Sequence, residues 1–280
     1  MVNKTLSKLI TEVENKWLNL LYKHCQKQFK NTKLPSHDHL HHMRVWLYAK
    51  ELFNQLQNNH IEITKNDLEK AIVAIFFHDI GMKKFIGEKH GFISRQFCEA
   101  FFKKNKLKLE GFKEVLKVIE KHDDKEYKTA ISNQSPVDLT SILSVCDDLD
   151  AFGSIGVFRY FEIYSMRNIQ IEKIPQKVIK NVKARYLNLQ QLYSDLNLFS
   201  NKHQKRYQVV DRFYKKLDSE IQNYSKTIYY ETTGVINFFI EYIIKGSSSL
   251  TELINLVPTK TDDAYVKKFF RQLEEELKDK

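Results

Sequence analysis

The chain has 280 residues and a formal net charge of +10, from 45 Lys and Arg against 35 Asp and Glu. It contains 8 Gly and 4 Pro, where average usage would give about 20 and about 14, which argues against turn-dense β architectures and excludes collagen-like and low-complexity chains. With 42% hydrophobic and 12% aromatic residues it can bury a full-sized core, which argues against disorder over most of its length.

Apolar residues recur at helical spacing along almost the whole chain, and no stretch alternates convincingly with a period of two. The pattern predicts a first helix carrying Leu6–Leu20, a second carrying Val45–Leu56, and a third that Thr64 can cap and that stops near Gly81. Further helices are predicted at about 90–103, 112–123, 138–152, 155–168, 176–197, 203–223, 233–245 and 262–278. The predicted fold class is all-α, with a flexible link at 246–249.

The ends of the chain and its cysteines favour a cytoplasmic protein with no membrane partner. The longest uninterrupted apolar run, Ala71–Phe77, is far shorter than the ~20 residues needed to span a bilayer, and the first residues contain no apolar core of signal-peptide length. Cys25, Cys98 and Cys146 are odd in number and lack CxxC spacing, which argues against a disulfide framework and a thiolate zinc site.

Three separated segments concentrate histidine and aspartate. Four of the ten histidines lie in Ser36–Val45 (SHDHLHHMRV), His78-Asp79 ends the apolar Ala71–Phe77 run, and VCDDLDA spans 145–151. A charged Asp at the end of an apolar helix is costly to bury without a partner, and a divalent metal ion is such a partner. Imidazole and carboxylate ligands suit Mn, Fe, Co, Ni, Zn or Mg, and such a set leaves coordination positions open for water and substrate.

At these residues the chain resembles the HD-domain superfamily of metal-dependent phosphohydrolases, and most closely its bacterial branch. That branch is typified by H-D-x-x-H-x-x-R-V, then H-D-I-G, then D-x-L-D-A-[IF]-G, and this chain reads HDHLHHMRV, HDIG and DDLDAFG in the same order. The resemblance covers roughly residues 20–195. It implies an HD-type helical bundle with additional C-terminal helices: an HD-type metal phosphohydrolase domain at 1–198 and a helical extension packed on the core at 199–280.

The resemblance implies a set of metal ligands and a group that orients water. The ligands would be His41, His78, Asp79 and Asp147. Asp79 is also the most economical candidate to orient the attacking water. His37, four residues before His41, matches the other histidine of the first motif and would serve the substrate or the surroundings of the metal.

Further candidates surround that set. His90 and His122 stand where some HD proteins bind a second metal ion or the substrate phosphate; the alternative for each is a buried histidine with one backbone partner. Three cations are candidates to neutralise phosphate oxygens: Lys83 and Lys84 as catalytic groups, and Arg44 as a substrate-binding group. The alternative for each of the three is a solvated surface cation. The other predicted substrate-binding residues are His37, His90 and His122. The branch commonly carries Arg where this chain has Asp148, so its substrate preference does not transfer directly.

The positive charge is concentrated in one stretch. Residues 173–216 contain eleven Lys and Arg against two Asp, a net charge of +9. Three interpretations of this charge are ranked from most to least favoured. They are a solvated helix surface, steering of an anionic nucleotide, and binding of RNA or DNA.

The leading hypothesis is a phosphohydrolase that uses a divalent metal ion to activate water and that cleaves a phosphoester or phosphoanhydride of a small phosphorylated substrate, such as a nucleotide. The alternatives are a non-catalytic regulatory HD module and a nucleic-acid-binding protein that uses the basic helices at 173–216. A homodimer is a further expectation, because paired aromatic residues beyond about residue 200 suit either core packing or a contact between two copies.

Overall fold

The computed structural model describes residues 5–30, 32, 34, 36–87, 90–122, 137–223, 231–246 and 248–278. Every regular element within these ranges is helical, which confirms the predicted all-α class. None of the helices in the described ranges combines the length and the apolarity that crossing a membrane requires.

Twelve α-helices follow one another along the described chain. They are α1 (Leu6–Phe29), α2 (His39–Asn58), α3 (Lys65–Phe77), α4 (His90–Lys104), α5 (Lys113–Lys121), α6 (Leu139–Asp150), α7 (Gly153–Met166), α8 (Ile174–Tyr193), α9 (Asn197–Gln222), α10 (Glu231–Phe238), α11 (Leu250–Lys260) and α12 (Ala264–Lys278). Short 3₁₀ turns precede α5 and α8, and a third, Ile80–Lys83, follows α3. A π-helical turn, Phe239–Ile244, continues α10.

The chain forms two compact units, and the first comprises Met1–Leu149 with Gln191–Phe199. In it α1 packs on α2 and α3, and α5 packs on α3 and α4. In helix α3 every residue of Ala71–Phe77 is buried, as expected for its unbroken apolar run. Its predicted cap is confirmed, because the Thr64 side chain accepts a hydrogen bond from the Asp67 amide in a capping box.

The end of α3 places two polar side chains in the interior of this unit. The helix stops at Phe77, earlier than the predicted end near Gly81, and the 3₁₀ turn begins at Ile80. His78 and Asp79 therefore lie at the break between the two elements. Both are buried, at 0% and 6% exposure.

The second unit comprises Asp150–Gln190 and Ser200–Lys280. Within it α12 presents an apolar face that packs on α7, α10 and α11. Asp150 and Arg159 form a buried ion pair in this unit. The predicted domain boundary at residue 198 stays a prediction.

One helix was missed from the sequence. Helix α11 occupies Leu250–Lys260, directly after the predicted flexible link at 246–249; Ser247 lies outside the described residues. Ser249 begins that helix with a capping box, since its hydroxyl accepts from the Glu252 amide and the Glu252 carboxylate accepts from the Ser249 amide. The serine run therefore ends in a helix start. The last residue of the predicted helix at 112–123 also lies outside the described residues.

Candidate metal centre

Four of the predicted ligands converge from three segments of the first unit. His41 lies in the first turn of α2, His78 and Asp79 lie at the break after α3, and Asp147 lies near the end of α6. The side chains of His41 and His78 are fully buried, and that of Asp147 is 14% exposed. The N-cap of α2 fixes the first of these positions, because the Asp38 carboxylate accepts hydrogen bonds from the amides of Leu40 and His41.

These four side chains form what we call the first group. The Nε2 atoms of His41 and His78 are 3.3 Å apart. Asp79 Oδ2 is 3.5 Å from each of these nitrogens. Asp147 Oδ1 is 3.6 Å from His41 Nε2 and 3.8 Å from His78 Nε2. One potential ligand atom from each residue thus faces a common centre, and the group could hold a metal ion.

The other carboxylate oxygen of Asp79 faces a second group, formed with His90 and His122. Asp79 Oδ1 is 3.0 Å from the Nε2 atom of each histidine. The two Nε2 atoms are 2.9 Å apart. This group is buried and could also hold a metal ion. Asp79 therefore belongs to both groups, with one oxygen in each.

Backbone carbonyl groups decide the tautomers of three of these histidines. His78 Nδ1 lies 2.8 Å from the Ile75 oxygen, and His122 Nδ1 lies 2.7 Å from the Ile119 oxygen. His90 Nδ1 makes the same contact with the Gly87 oxygen at 2.9 Å. A carbonyl oxygen can only accept, so Nδ1 carries the hydrogen in each case. In the neutral imidazole the Nε2 atom then presents a bare lone pair to its group.

The donor set fits a divalent cation. Around an ion with bonds of about 2.1 Å, two ligands lie about 3.0 Å apart at a right angle and about 3.4 Å apart at the tetrahedral angle. The separations of 2.9–3.0 Å in the second group and 3.3–3.8 Å in the first are of this size. Lone pairs and a carboxylate this close repel one another in a buried site, and a shared cation reverses the sign of that interaction.

The pKa shifts also indicate a site that favours positive charge. Burial by itself raises the pKa of Asp79, but the surrounding imidazoles, His78 foremost, outweigh it and hold that pKa well below its ordinary value. Burial lowers the pKa of His78, yet the charges of Asp79 and Asp147 and the bond to the Ile75 carbonyl leave it raised overall. Burial is the main cause of the lowered pKa of His122. Asp79 is therefore a carboxylate at neutral pH.

Two glycines allow the elements that carry these residues to approach closely. A Cβ atom on Gly91 would lie 2.5 Å from the Glu120 carbonyl oxygen, so only glycine lets the start of α4 meet the end of α5. A Cβ atom on Gly81 would lie 2.2 Å from the His90 carbonyl oxygen, and the Gly81 amide donates to Ser94 Oγ at 2.8 Å. Sequence reasoning did not identify Ser94; its signal is a small polar residue one turn after His90.

The remaining histidine of the first motif lies beside the first group. The ring centroid of His37 is 5.7 Å from that of His41, and His37 is 7% exposed. Ser36 Oγ lies 2.9 Å from His37 Nδ1. Arg44, one turn along α2 from His41, is 6% exposed. The substrate-binding roles of His37 and Arg44 stay predictions.

The two predicted catalytic lysines lie on the 3₁₀ turn and directly after it. Lys83 donates a hydrogen bond to Gln28 Oε1 at 2.7 Å, and its ammonium group lies 5.5 Å from the centre of the Phe97 ring. The Lys84 ammonium lies 5.2 Å from the same ring centre. Both cations are therefore in contact with an aromatic face of α4, and their action on phosphate oxygens stays a prediction.

The part of the chain that contains these groups is similar to a known domain family. Residues 40–151 match the HD domain. The match spans the first and second groups alike, and the HD domain is that of a superfamily of metal-dependent phosphohydrolases. Searches of curated proteins and of solved structures returned no match. The bacterial-branch motifs stay a resemblance.

Proposed function

We propose that this protein is a metal-dependent phosphohydrolase that cleaves a phosphoester or phosphoanhydride of a small phosphorylated substrate, with nucleotides as the first class to test. The HD domain supports the reaction class. The choice of nucleotides rests on the resemblance described from the sequence. The single observation that carries the proposal is the pair of buried His/Asp groups that share Asp79.

Two sets of residues would each hold one divalent ion. His41, His78 and Asp147 would hold one divalent ion with Asp79 Oδ2, while His90 and His122 would hold another with Asp79 Oδ1. Divalent ions bound in this way lower the pKa of water and polarise phosphoryl oxygens.

The backbone carbonyls at Ile75, Gly87 and Ile119 orient three imidazoles before any ligand arrives, because each fixes a Nδ1–H. The negative charge of Asp79 is kept at neutral pH by the surrounding imidazoles, which outweigh burial and hold its pKa low. The site is thus organised to bind cations and to present them to an anionic substrate, and positioning and charge neutralisation dominate phosphoryl transfer.

A metal-supplemented hydrolysis screen tests the proposal. Purified protein is stripped with a chelator, reloaded separately with Mn, Mg, Fe, Co, Ni or Zn, and offered nucleoside mono-, di- and triphosphates, cyclic dinucleotides and sugar phosphates. All hydrolysis products, including free phosphate, polyphosphate, nucleosides, nucleoside monophosphates and linear dinucleotides, are separated and measured for the wild type, for Asp79→Asn and for Asp262→Asn. Asp262 is an exposed acid far along the sequence from both groups, so it controls for the loss of one charge.

We expect metal-dependent turnover in the wild type and in Asp262→Asn, and a loss of at least about 100-fold in Asp79→Asn, because losing even an outer-shell partner of a metal ligand costs about 10–100-fold. Wild-type activity no greater than that of Asp79→Asn would refute the hydrolase. Stoichiometric metal binding without turnover of any substrate would favour the regulatory module instead.

A further inference from the structure

The exposed side of α8 carries a row of lysines. Lys177, Lys180 and Lys183 of α8 are exposed, as is Lys173 in the 3₁₀ turn directly before it. The spacing of three residues places the three helical lysines within about 120° of the helix circumference. We call these four residues the cationic stripe. The buried side of the same helix is apolar, with Val178 and Val182 at 0% exposure.

No described residue neutralises the cationic stripe. Within the described part of the chain, none of its four lysines makes an ion pair or a hydrogen bond. Lysines elsewhere in the chain do form ion pairs: Lys16, Lys50, Lys65 and Lys70 of the other compact unit pair with glutamates at 2.5–3.2 Å, and Lys267 of the same unit as the stripe pairs with Asp262. A row of uncompensated cations at about one per helical turn is suited to a ligand that carries repeated negative charge.

The neighbouring helix α9 extends the same chemistry within the second unit. Tyr186 of α8 stacks on Tyr207 of α9, with ring centroids 4.3 Å apart and planes 8° from parallel. Gln176 and Asp218 join the two helices at their other ends by a hydrogen bond of 2.6 Å. Helix α9 adds exposed cations of its own, which are Lys202, Lys205, Arg212, Lys215 and Lys216. Of these, Lys215 and Lys216 pair with Asp211 and Glu231. Lysines and half-buried aromatic rings are the side chains that single-stranded nucleic acids contact.

We propose that the cationic stripe binds the phosphate backbone of a nucleic acid without reading its sequence. A repeating polyanion matches a repeating row of cations, whereas a single small anion would engage one or two lysines. An anionic membrane is the competing polyanion. A helix that lies on a membrane inserts its apolar face between the lipids, and the apolar face of α8 is already buried in the protein.

The salt dependence gives the expected size of the effect. Each phosphate contact to a single strand contributes about −0.7 to the slope of log K against log salt. Four contacts from the stripe give a slope of about −2.8 or steeper, so affinity falls about 50-fold or more between about 50 mM and about 200 mM salt. Removal of three of the lysines would reduce the steepness of that slope by about 2.

Fluorescence anisotropy with a labelled mixed-sequence RNA strand tests the inference. The full chain is compared with the triple variant Lys173→Ala, Lys177→Ala, Lys180→Ala. The matched control, Lys103→Ala, Lys106→Ala, Lys108→Ala, removes three exposed lysines from the other unit. Alanine favours helix, so α8 is expected to stay folded, and circular dichroism checks this. Vesicles of phosphatidylserine and phosphatidylcholine replace the RNA in a parallel titration.

We expect RNA binding at low salt, the predicted reduction of slope in the stripe variant, and an unchanged slope in the control. The inference is overturned by an absence of RNA binding at low salt, or by equal losses in the two triple variants. It is also overturned if the lysines of the stripe mediate binding to anionic vesicles while RNA stays unbound. The assay involves no turnover, so its outcome is independent of the proposed hydrolase activity.

Discussion

Replacement of Gly91 by alanine tests whether the second group depends on the close approach of α4 and α5. The added Cβ atom would lie 2.5 Å from the Glu120 carbonyl oxygen and 3.0 Å from that of Ile119. Ordinary contacts begin at 3.4 Å, so the start of α4 must move away by about 0.9 Å to relieve the closer contact. His90, the residue before, would move with it.

That displacement is large for a metal site but small for the fold. Ligand distances in a competent site hold to about 0.2 Å, so His90 would no longer be placed correctly against His122 and Asp79. We expect the affinity of the second group to fall about 10–100-fold, the range found when support for a ligand is lost. Crowding costs about 1–3 kcal/mol, and exchanging helical Gly for Ala returns about 0.5–1 kcal/mol, so the variant should remain folded.

Isothermal titration of chelator-stripped protein with Mn²⁺ measures the effect. The wild type should bind two ions, and Gly91→Ala should keep the affinity of the first group while losing most of that of the second. Gly111→Ala is the matched control, because a Cβ atom there meets no heavy atom within 4 Å. Two unchanged binding events in Gly91→Ala would refute the reasoning that this glycine brings the second group together.

Three further outcomes follow from the contacts described. Lowering the pH from about 8 to about 5 should release metal from the first group before the second, because protons compete with metal for imidazole. In the first group, nearby charges overcome burial and raise the pKa of His78, so this histidine takes up a proton at higher pH. In the second group, burial lowers the pKa of His122. Asp150→Ala should lower the free energy of unfolding by about 3–5 kcal/mol, since Arg159 would stay buried without that partner. Ser249→Ala should cost about 1 kcal/mol by removing the cap of α11.

Each of these has a direct measurement. Metal affinity is measured by titration at successive pH values. It should be highest above the pKa of each histidine and fall as the pH drops through that pKa. An affinity that does not change with pH would contradict the assignment of histidine ligands. Urea unfolding compares Asp150→Ala with Asp262→Ala, whose exposed ion pair should contribute less than about 1 kcal/mol. Equal losses in those two variants would count against the buried pair, and an unaffected Ser249→Ala would count against the cap.

The helices were predictable because their signal is local. Apolar residues at a spacing of three and four residues define a helix face wherever the partner lies, so α3 and its Thr64 cap could be read directly. Helix α11 escaped because Gly246 and the serines after it resemble a link. Its capping box, Ser249 with Glu252, was the available signal, and it requires reading side-chain hydrogen bonding as well as composition.

The candidate site was predictable only in part, since its second group depends on distant contacts. His90 and His122 are 32 residues apart in the chain, and their approach relies on Gly91 meeting a carbonyl of another helix. From the sequence alone, each of the two histidines could either line the site or be a buried histidine with one backbone partner. It also could not show that the two oxygens of Asp79 face different groups, because that follows from the backbone break after α3.

Asp79 is proposed to join two metal-binding groups, and counting the ions bound by three variants tests that role most directly. Mn²⁺ stoichiometry is measured by titration and by elemental analysis of the wild type, Asp79→Ala, Asp147→Ala and His122→Ala. We predict two ions for the wild type, one tight ion for each of Asp147→Ala and His122→Ala, and neither for Asp79→Ala. Two ions bound with wild-type affinity by Asp79→Ala would contradict the account.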